Sequence, residues 1–170
     1  DRVSGRLSVV LLDAAPQGTG IFAHNLAFVF VYTPFAGLQW EAESKRKKFE
    51  VFLEEYCQRW RTAGYKIILM GDFNALFTEF DCWESFLPKH QQQWQQQPTT
   101  SDGERLRLNR LCESCNLVSA DGDDRSYSFY LDFAHSRAGR GWKIDHTFVS
   151  EELKPYLVGV VEKALYFGCD

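Results

Sequence analysis

The sequence predicts an α/β fold in which short strands form a sheet and amphipathic helices pack on it as a sandwich. Three observations predict it. Apolar runs of strand length recur along the chain, each bounded by glycine, proline or an acid–amide pair. Between them lie two stretches whose apolar residues recur at three- and four-residue steps, the pattern of a helix with one buried face. Hydrophobic residues make up 45% and aromatics 15% of the 170 residues, enough to fill a sizeable core.

The elements follow in order. GRLSVVLLD (Gly5 to Asp13) reads as a buried strand. AAPQGTGIFAHN is a loop carrying Pro16, Gly18 and Gly20. LAFVFVYTPFAG (Leu26 to Gly37) is a second strand, stopped by Pro34 and Gly37, and lies close enough to the first to form a hairpin. From Gln39 to Ala63 the period is helical, with Phe49, Phe52, Leu53, Tyr56 and Trp60 on the apolar stripe and Gly64 at its end. The charge run ESKRKK (Glu43 to Lys48) reads as a solvated helix face, with phosphate contact as the lesser reading. KIILM is a third strand. A Gln-rich segment at about residues 88–101 suits a surface insertion within one domain. Ser101 with Glu104 has capping-box spacing for a helix from Glu104 to Cys115, with Leu108, Leu111 and Cys112 inward. SYSFYLDF and WKIDHTFVS are further strands, joined by the basic, glycine-bearing loop AHSRAGRG, and KALYF is a last short strand.

Composition narrows the function classes. A net charge of −4 is no broad nucleic-acid-binding signature, although a cleft can keep its own positive field. No apolar stretch reaches the length of about 18 residues that a membrane span needs. The opening DRVSGRLSVV has neither the pattern of a signal peptide nor a start methionine, which predicts a piece of a longer protein. The five cysteines are odd in number and scattered, which predicts free thiols in a reducing compartment: nucleus, cytoplasm or mitochondrion. Cys112 and Cys115 form one CxxC without the second pair that zinc requires, so they read as two thiols on a helix.

Chemistry-bearing residues gather at strand ends. In KIILMGDFNAL a buried strand runs into Gly71, then Asp72 and Asn74. A strand end holds such groups rigidly at a cleft. There Asp72 could position a metal ion or take a proton from water, and Asn74 offers both a donor and an acceptor. A plain Gly-Asp turn explains the same residues equally well. Asp145 lies among apolar neighbours in WKIDHTFVS, which predicts a paired carboxylate. Adjacent His146 points to the other face of a strand, so the partner is expected elsewhere, and His146 reads as that partner or as a surface histidine. Trp142 fits either core or an apolar wall for a sugar. Tyr32 ends its strand, with its hydroxyl near a phosphate or satisfied locally.

Taken in order, these segments resemble the endonuclease/exonuclease/phosphatase superfamily, and within it the apurinic/apyrimidinic endonuclease (exonuclease III) branch. VFVYTPFAG resembles a family strand ending in Tyr-x-Pro-Asn-Ala-Gly. ILMGDFNAL resembles Gly-Asp-Phe/Leu-Asn, TEFD a short acidic stretch after it, and SYSFY a Tyr-Thr-Phe-Trp strand. GRGWKIDHTFVS resembles Gly-Trp-Arg-Leu-Asp-Tyr-x-Leu-x-Ser, the most specific of these motifs. Phe35 and Arg140 stand where the family has Asn, and His146 stands for an aromatic.

The resemblance implies a four-layer α/β sandwich, two packed mainly antiparallel sheets flanked by helices, incomplete in this chain. It implies that Asp72 orients or deprotonates the attacking water, that Asn74 helps hold water and phosphate, and that Tyr32 contacts the scissile phosphate. Phe129 and Trp142 would line a pocket for a base-free sugar, with Arg137 and Arg140 also binding substrate. Asp145 would orient a catalytic histidine from a Ser-Asp-His motif, of which Cys169 and Asp170 match the first two positions. The implied cofactor is Mg2+, with Mn2+ as substitute. Asp170 is its candidate ligand here, because the family's main Asn and Glu ligands belong to a preceding region. The implied activity is metal-dependent cleavage of double-stranded DNA 5′ to an abasic site in base-excision repair, by a monomer without membrane attachment. It belongs to the whole protein, with this chain alone expected to be inactive. Other readings are a retrotransposon endonuclease, an inositol-phosphate or sphingolipid phosphodiesterase of the same fold, or a catalytically inactive binding domain.

Overall fold

The computed structural model describes residues 5–35, 40–83, 102–120, 127–130 and 141–157, with the backbone alone described at 40–43. The fold is α/β. Its main sheet has five strands in the order β1-β2-β3-β7-β4: β1 Leu7–Leu12, β2 Leu26–Tyr32, β3 Lys66–Asp72, β4 Leu117–Ser119 and β7 Asp145–Ser150. A second sheet pairs β5 Phe129–Tyr130 with β6 Gly141–Trp142. The expected hairpin is present, with β1 antiparallel to β2 from Leu7↔Val31 to Leu12↔Leu26. β2 and β3 run parallel, as a connection through a helix permits. The remaining pairs are antiparallel.

Helices α1 (Trp40–Thr62) and α2 (Asp102–Ser114) cover one face of the main sheet. Strand residues alternate between faces, so Ala27, Val29, Val31, Ile67, Leu69 and Phe148 all point toward the helices. Phe49, Leu53 and Cys57 of α1, with Leu108, Leu111 and Cys112 of α2, complete that core. Gly64, at φ +90°, lets the chain leave α1 in a left-handed residue and enter β3. The opposite face carries Leu26, Ile68 and Val149, with Leu153 from a 3-10 turn at Glu151–Tyr156.

Four expectations need correction. β1, expected to be a buried strand, is an edge strand of the described sheet, with Val10, Leu11 and Leu12 exposed. The run Lys45–Lys48 is not uniformly solvated: Lys45, Lys47 and Lys48 are exposed, but Arg46 is buried at 1% exposure. Arg46 precedes Phe49 and Leu53 by three and seven residues, so helical geometry puts it on the inward stripe. Phe52, expected inward, is 36% exposed; it stacks beside Tyr56 at the helix margin, and Cys57 occupies the core position. WKIDHTFVS is not one strand. Lys143 and Ile144 leave the ladder between β6 and β7, where the Lys143 N–H donates to the Asp81 carbonyl at 2.8 Å and the Ile144 N–H to Ser128 Oγ at 3.1 Å. The segment therefore serves two sheets. The Gln-rich insertion, the KALYF strand and Ser101 lie outside the described residues.

The cysteines Cys57, Cys82, Cys112 and Cys115 are buried thiols outside any disulfide. Burial pushes the Cys112 thiol well above its ordinary range. No helix among the described residues is long and apolar enough to cross a membrane.

Candidate active site at the ends of β2, β3 and β7

The register of the sheet aligns three polar residues in one row. Tyr32 at the end of β2 is the partner of Asp72 at the end of β3, and Asp72 is the partner of Asp145 at the start of β7. Laterally paired residues project to the same face, so the three side chains share one side of the sheet. Asp145 is exposed at the first position of β7, which corrects the expectation of a carboxylate enclosed in an apolar strand. Being exposed, it has no burial cost that a partner must offset. Tyr32 is 49% exposed, with the Arg6 guanidinium over its ring at 5.0 Å from the centroid. No local sequence pattern marked Arg6.

Gly71 is what brings β3 so close to β2 at this end. Its φ is +140°, and a Cβ there would lie 2.0 Å from the Val31 carbonyl oxygen. Beyond it the chain turns sharply. The Asp72 carboxylate accepts the Asn74 N–H at 2.7 Å, an Asx turn that holds Asn74 in the left-handed region at φ 46°. Asparagine tolerates that conformation better than most residues. The Asn74 amide then donates from Nδ2 to the Thr33 carbonyl at 2.9 Å, and Asn74 is 8% exposed. The GDxN segment is thus a turn, built by its own polar side chains.

The carbonyls of this turn meet buried side-chain donors. Arg46 donates to the Phe73 carbonyl at 3.0 Å and to the Asn74 carbonyl at 2.8 Å. His146 Nε2 donates to the Ala75 carbonyl at 3.0 Å, which fixes the proton on that nitrogen. His146 is buried at 4% exposure and stacks on Phe148, so it is a core histidine rather than a surface one. It lies on the face opposite Asp145, as neighbours on a strand must.

Partial burial is the main force on Asp72 and pushes its carboxyl up to about 6; the charge of Asp145 adds to the rise. The Asn74 N–H, Arg46 and His146 act against it. A carboxyl titrating near neutrality is suited to exchanging a proton with water.

Trp142 is 4% exposed, in an apolar cluster with Leu76, Cys82 and Ile144. Phe129, its cross-strand partner, is 44% exposed, and the two rings lie tilted with centroids 5.9 Å apart. Trp142 thus belongs to the core, and Phe129 presents the aromatic surface. Arg137, Arg140 and Asp170 lie outside the described residues. Among those described, no group of three or more His, Cys, Asp and Glu side chains could hold a metal ion. Asp72 and Asp145 alone do not make such a site.

Arg46 is the residue of this site that sequence reasoning missed. The signal was present, since a cation three and seven residues before core positions of a helix falls on the buried stripe. It was masked by the charged neighbours on either side.

The fold matches solved structures over most of its length. An AP endonuclease from Leishmania major superposes with a TM-score of 0.71 at 21% identity, covering 89% of this chain and 48% of that one. A 3′-5′ exonuclease from Neisseria meningitidis matches with a TM-score of 0.62 at 19% identity, over 85% of this chain and 57% of that one. An AP endonuclease from Archaeoglobus fulgidus matches with a TM-score of 0.61 at 14% identity, over 85% and 59%. The chain thus spans less than two thirds of the length of each. No protein-family model and no curated protein sequence matches it. At these identities the likeness is one of fold: the chain is built like part of these AP endonucleases and this exonuclease.

Proposed function

We propose that the whole protein is a DNA endonuclease of base-excision repair that hydrolyses a phosphodiester 5′ to an abasic site in duplex DNA. The observation that carries this reading is the row Tyr32–Asp72–Asp145 at the strand ends, with Asp72 held near a neutral pKa. Fold likeness to AP endonucleases supports the reaction class. A neighbouring Neisseria structure, a 3′ phosphatase bound to a product DNA hairpin, supports DNA as the partner.

In this reading Asp72 takes the proton of the attacking water. The Asn74 N–H that its carboxylate accepts restrains that carboxylate in one orientation. Tyr32 offers its hydroxyl to a phosphate oxygen, and Asp145 orients an imidazole supplied from outside the described residues. Phe129 stacks against the base-free sugar with Trp142 fixed behind it. Arg137 and Arg140 contact the DNA backbone. Mg2+, replaceable by Mn2+, would be the cofactor and would neutralise charge developing on the phosphate, with Asp170 as its candidate ligand in this chain. The protein works as a monomer.

The test is cleavage by the whole protein of three duplexes: one with an abasic site, one with a 3′-phosphate at a nick, and one undamaged. Incision 5′ to the abasic site, abolished by chelation and restored by magnesium, is the expected result. Release of 3′-phosphate without incision would make it a 3′ phosphatase, and inertness on all three would leave a binding domain.

A further inference from the structure

We propose that Arg46 is a positioning residue for this site, holding the Asp72–Asn74 turn in place from the opposite face of the sheet. The inference rests on the proposed function for its catalytic consequence, but not for its structural one.

Its geometry is unusual for a member of a lysine-rich run. The guanidinium is buried at 1% exposure and bonds the carbonyls of Phe73 and Asn74 at 3.0 and 2.8 Å, with the Pro34 carbonyl at 3.5 Å. These carbonyls come from two segments, the turn after β3 and the segment after β2. Arg46 therefore ties together the strand ends that carry Tyr32 and Asp72. On its other side Nε donates to Glu50 at 2.8 Å, and Nη1 lies 3.2 Å from Glu104, itself buried at 3% exposure. Glu50 also accepts from Arg107 of α2 at 2.6 Å. The guanidinium is thus fixed by a carboxylate on each helix, while its remaining N–H groups reach the turn.

Two physical points give this arrangement its consequence. A planar guanidinium with several fixed donors can serve carbonyls and carboxylates at once, which a lysine ammonium cannot do in the same geometry. The turn it grips contains a left-handed residue, Asn74, a backbone state that persists when its surroundings over-determine it. Loosening the grip releases the turn, and with it the orientation of the Asp72 carboxylate. A small misplacement of a reacting group costs up to about 100-fold in rate.

The experiment compares the whole protein with Arg46→Lys and Leu53→Ala, the latter a core truncation two helical turns beyond Arg46 that removes no hydrogen bond to the turn. Backbone amide hydrogen exchange is read at residues 73–77 against the amides of β3. Single-substrate kinetics on an abasic duplex are read alongside it. Arg46→Lys is expected to speed exchange at 73–77 by about 10-fold relative to β3. It is expected to lower kcat by about 10- to 100-fold with KM within about 2-fold. Leu53→Ala is expected to lower the melting temperature while leaving both ratios unchanged. Unchanged exchange at the turn in Arg46→Lys overturns the proposal, as does an equal fall of kcat in Leu53→Ala. If the unmutated protein fails to cleave the duplex, the functional reading falls. The exchange ratio then still decides whether Arg46 holds the turn.

Discussion

Asp72 and Asp145 are direct cross-strand partners on β3 and β7, two carboxylates placed opposite each other on one face of the sheet. Like charges in that relation destabilise a ladder, and here the Asp145 charge contributes to raising the Asp72 carboxyl to about 6. Replacing Asp145 with Asn is expected to lower the Asp72 pKa measurably. It should stay above the ordinary aspartate value, because burial is the larger cause. A carbon-13 carboxyl titration by NMR checks this, and an unmoved Asp72 resonance would show that the two groups do not sense each other.

Asp72 should also cost the protein stability at neutral pH. Its folded pKa, about 6, lies above the ordinary aspartate value of 3.8 that holds when unfolded. The folded state then binds more protons between those values, so stability is fully present below about pH 4 and falls as pH rises through about 6. Above that range Asp72→Asn, which keeps an oxygen to accept the Asn74 N–H, is expected to stabilise. After discounting for solvent screening, the gain is on the order of 1 kcal/mol. Thermal melts of both proteins at pH 4 and pH 7.5 test this: the variant should melt higher by roughly 2–4 °C at pH 7.5 and show little difference at pH 4. An advantage independent of pH would contradict it.

The aromatic pair separates core from surface. Trp142→Ala is expected to cost about 3–5 kcal/mol by opening a cavity against Leu76, Cys82 and Ile144. Phe129→Ala, at a half-open position, is expected to cost less than about 1 kcal/mol. Urea unfolding midpoints measure both. If Phe129 is the stacking surface for an abasic sugar, its removal should raise KM for an abasic duplex several-fold while leaving the midpoint nearly unchanged.

The strand and helix elements β1, β2, β3, α1 and α2 were legible because their apolar periods are long, and β2, β3 and α1 also end at proline or glycine. The Asp72–Asn74 turn was legible at the end of β3. The places where reading failed share one cause. Asp145 looked enclosed because Ile144 and His146 flank it, but Ile144 belongs to a sheet-switching kink and His146 faces away. The kink is written in hydrogen bonds to Asp81 and Ser128, residues distant in sequence. Arg46 was hidden for the converse reason: local composition said solvent, and only its phase relative to Phe49 and Leu53 said core. Cross-strand register, which makes a row of Tyr32, Asp72 and Asp145, is a property of pairing and has no local signature.

The central claim is that this row is a phosphodiester-cleaving centre with Asp72 as its proton acceptor. The most direct measurement is the single-turnover rate of the whole protein and its Asp72→Asn variant on an abasic duplex in magnesium, with folding of both verified by melting. The account predicts a loss of at least about 100-fold in the variant, alongside its unchanged or raised melting temperature. A variant that cleaves within a few-fold of the parent rate would contradict it.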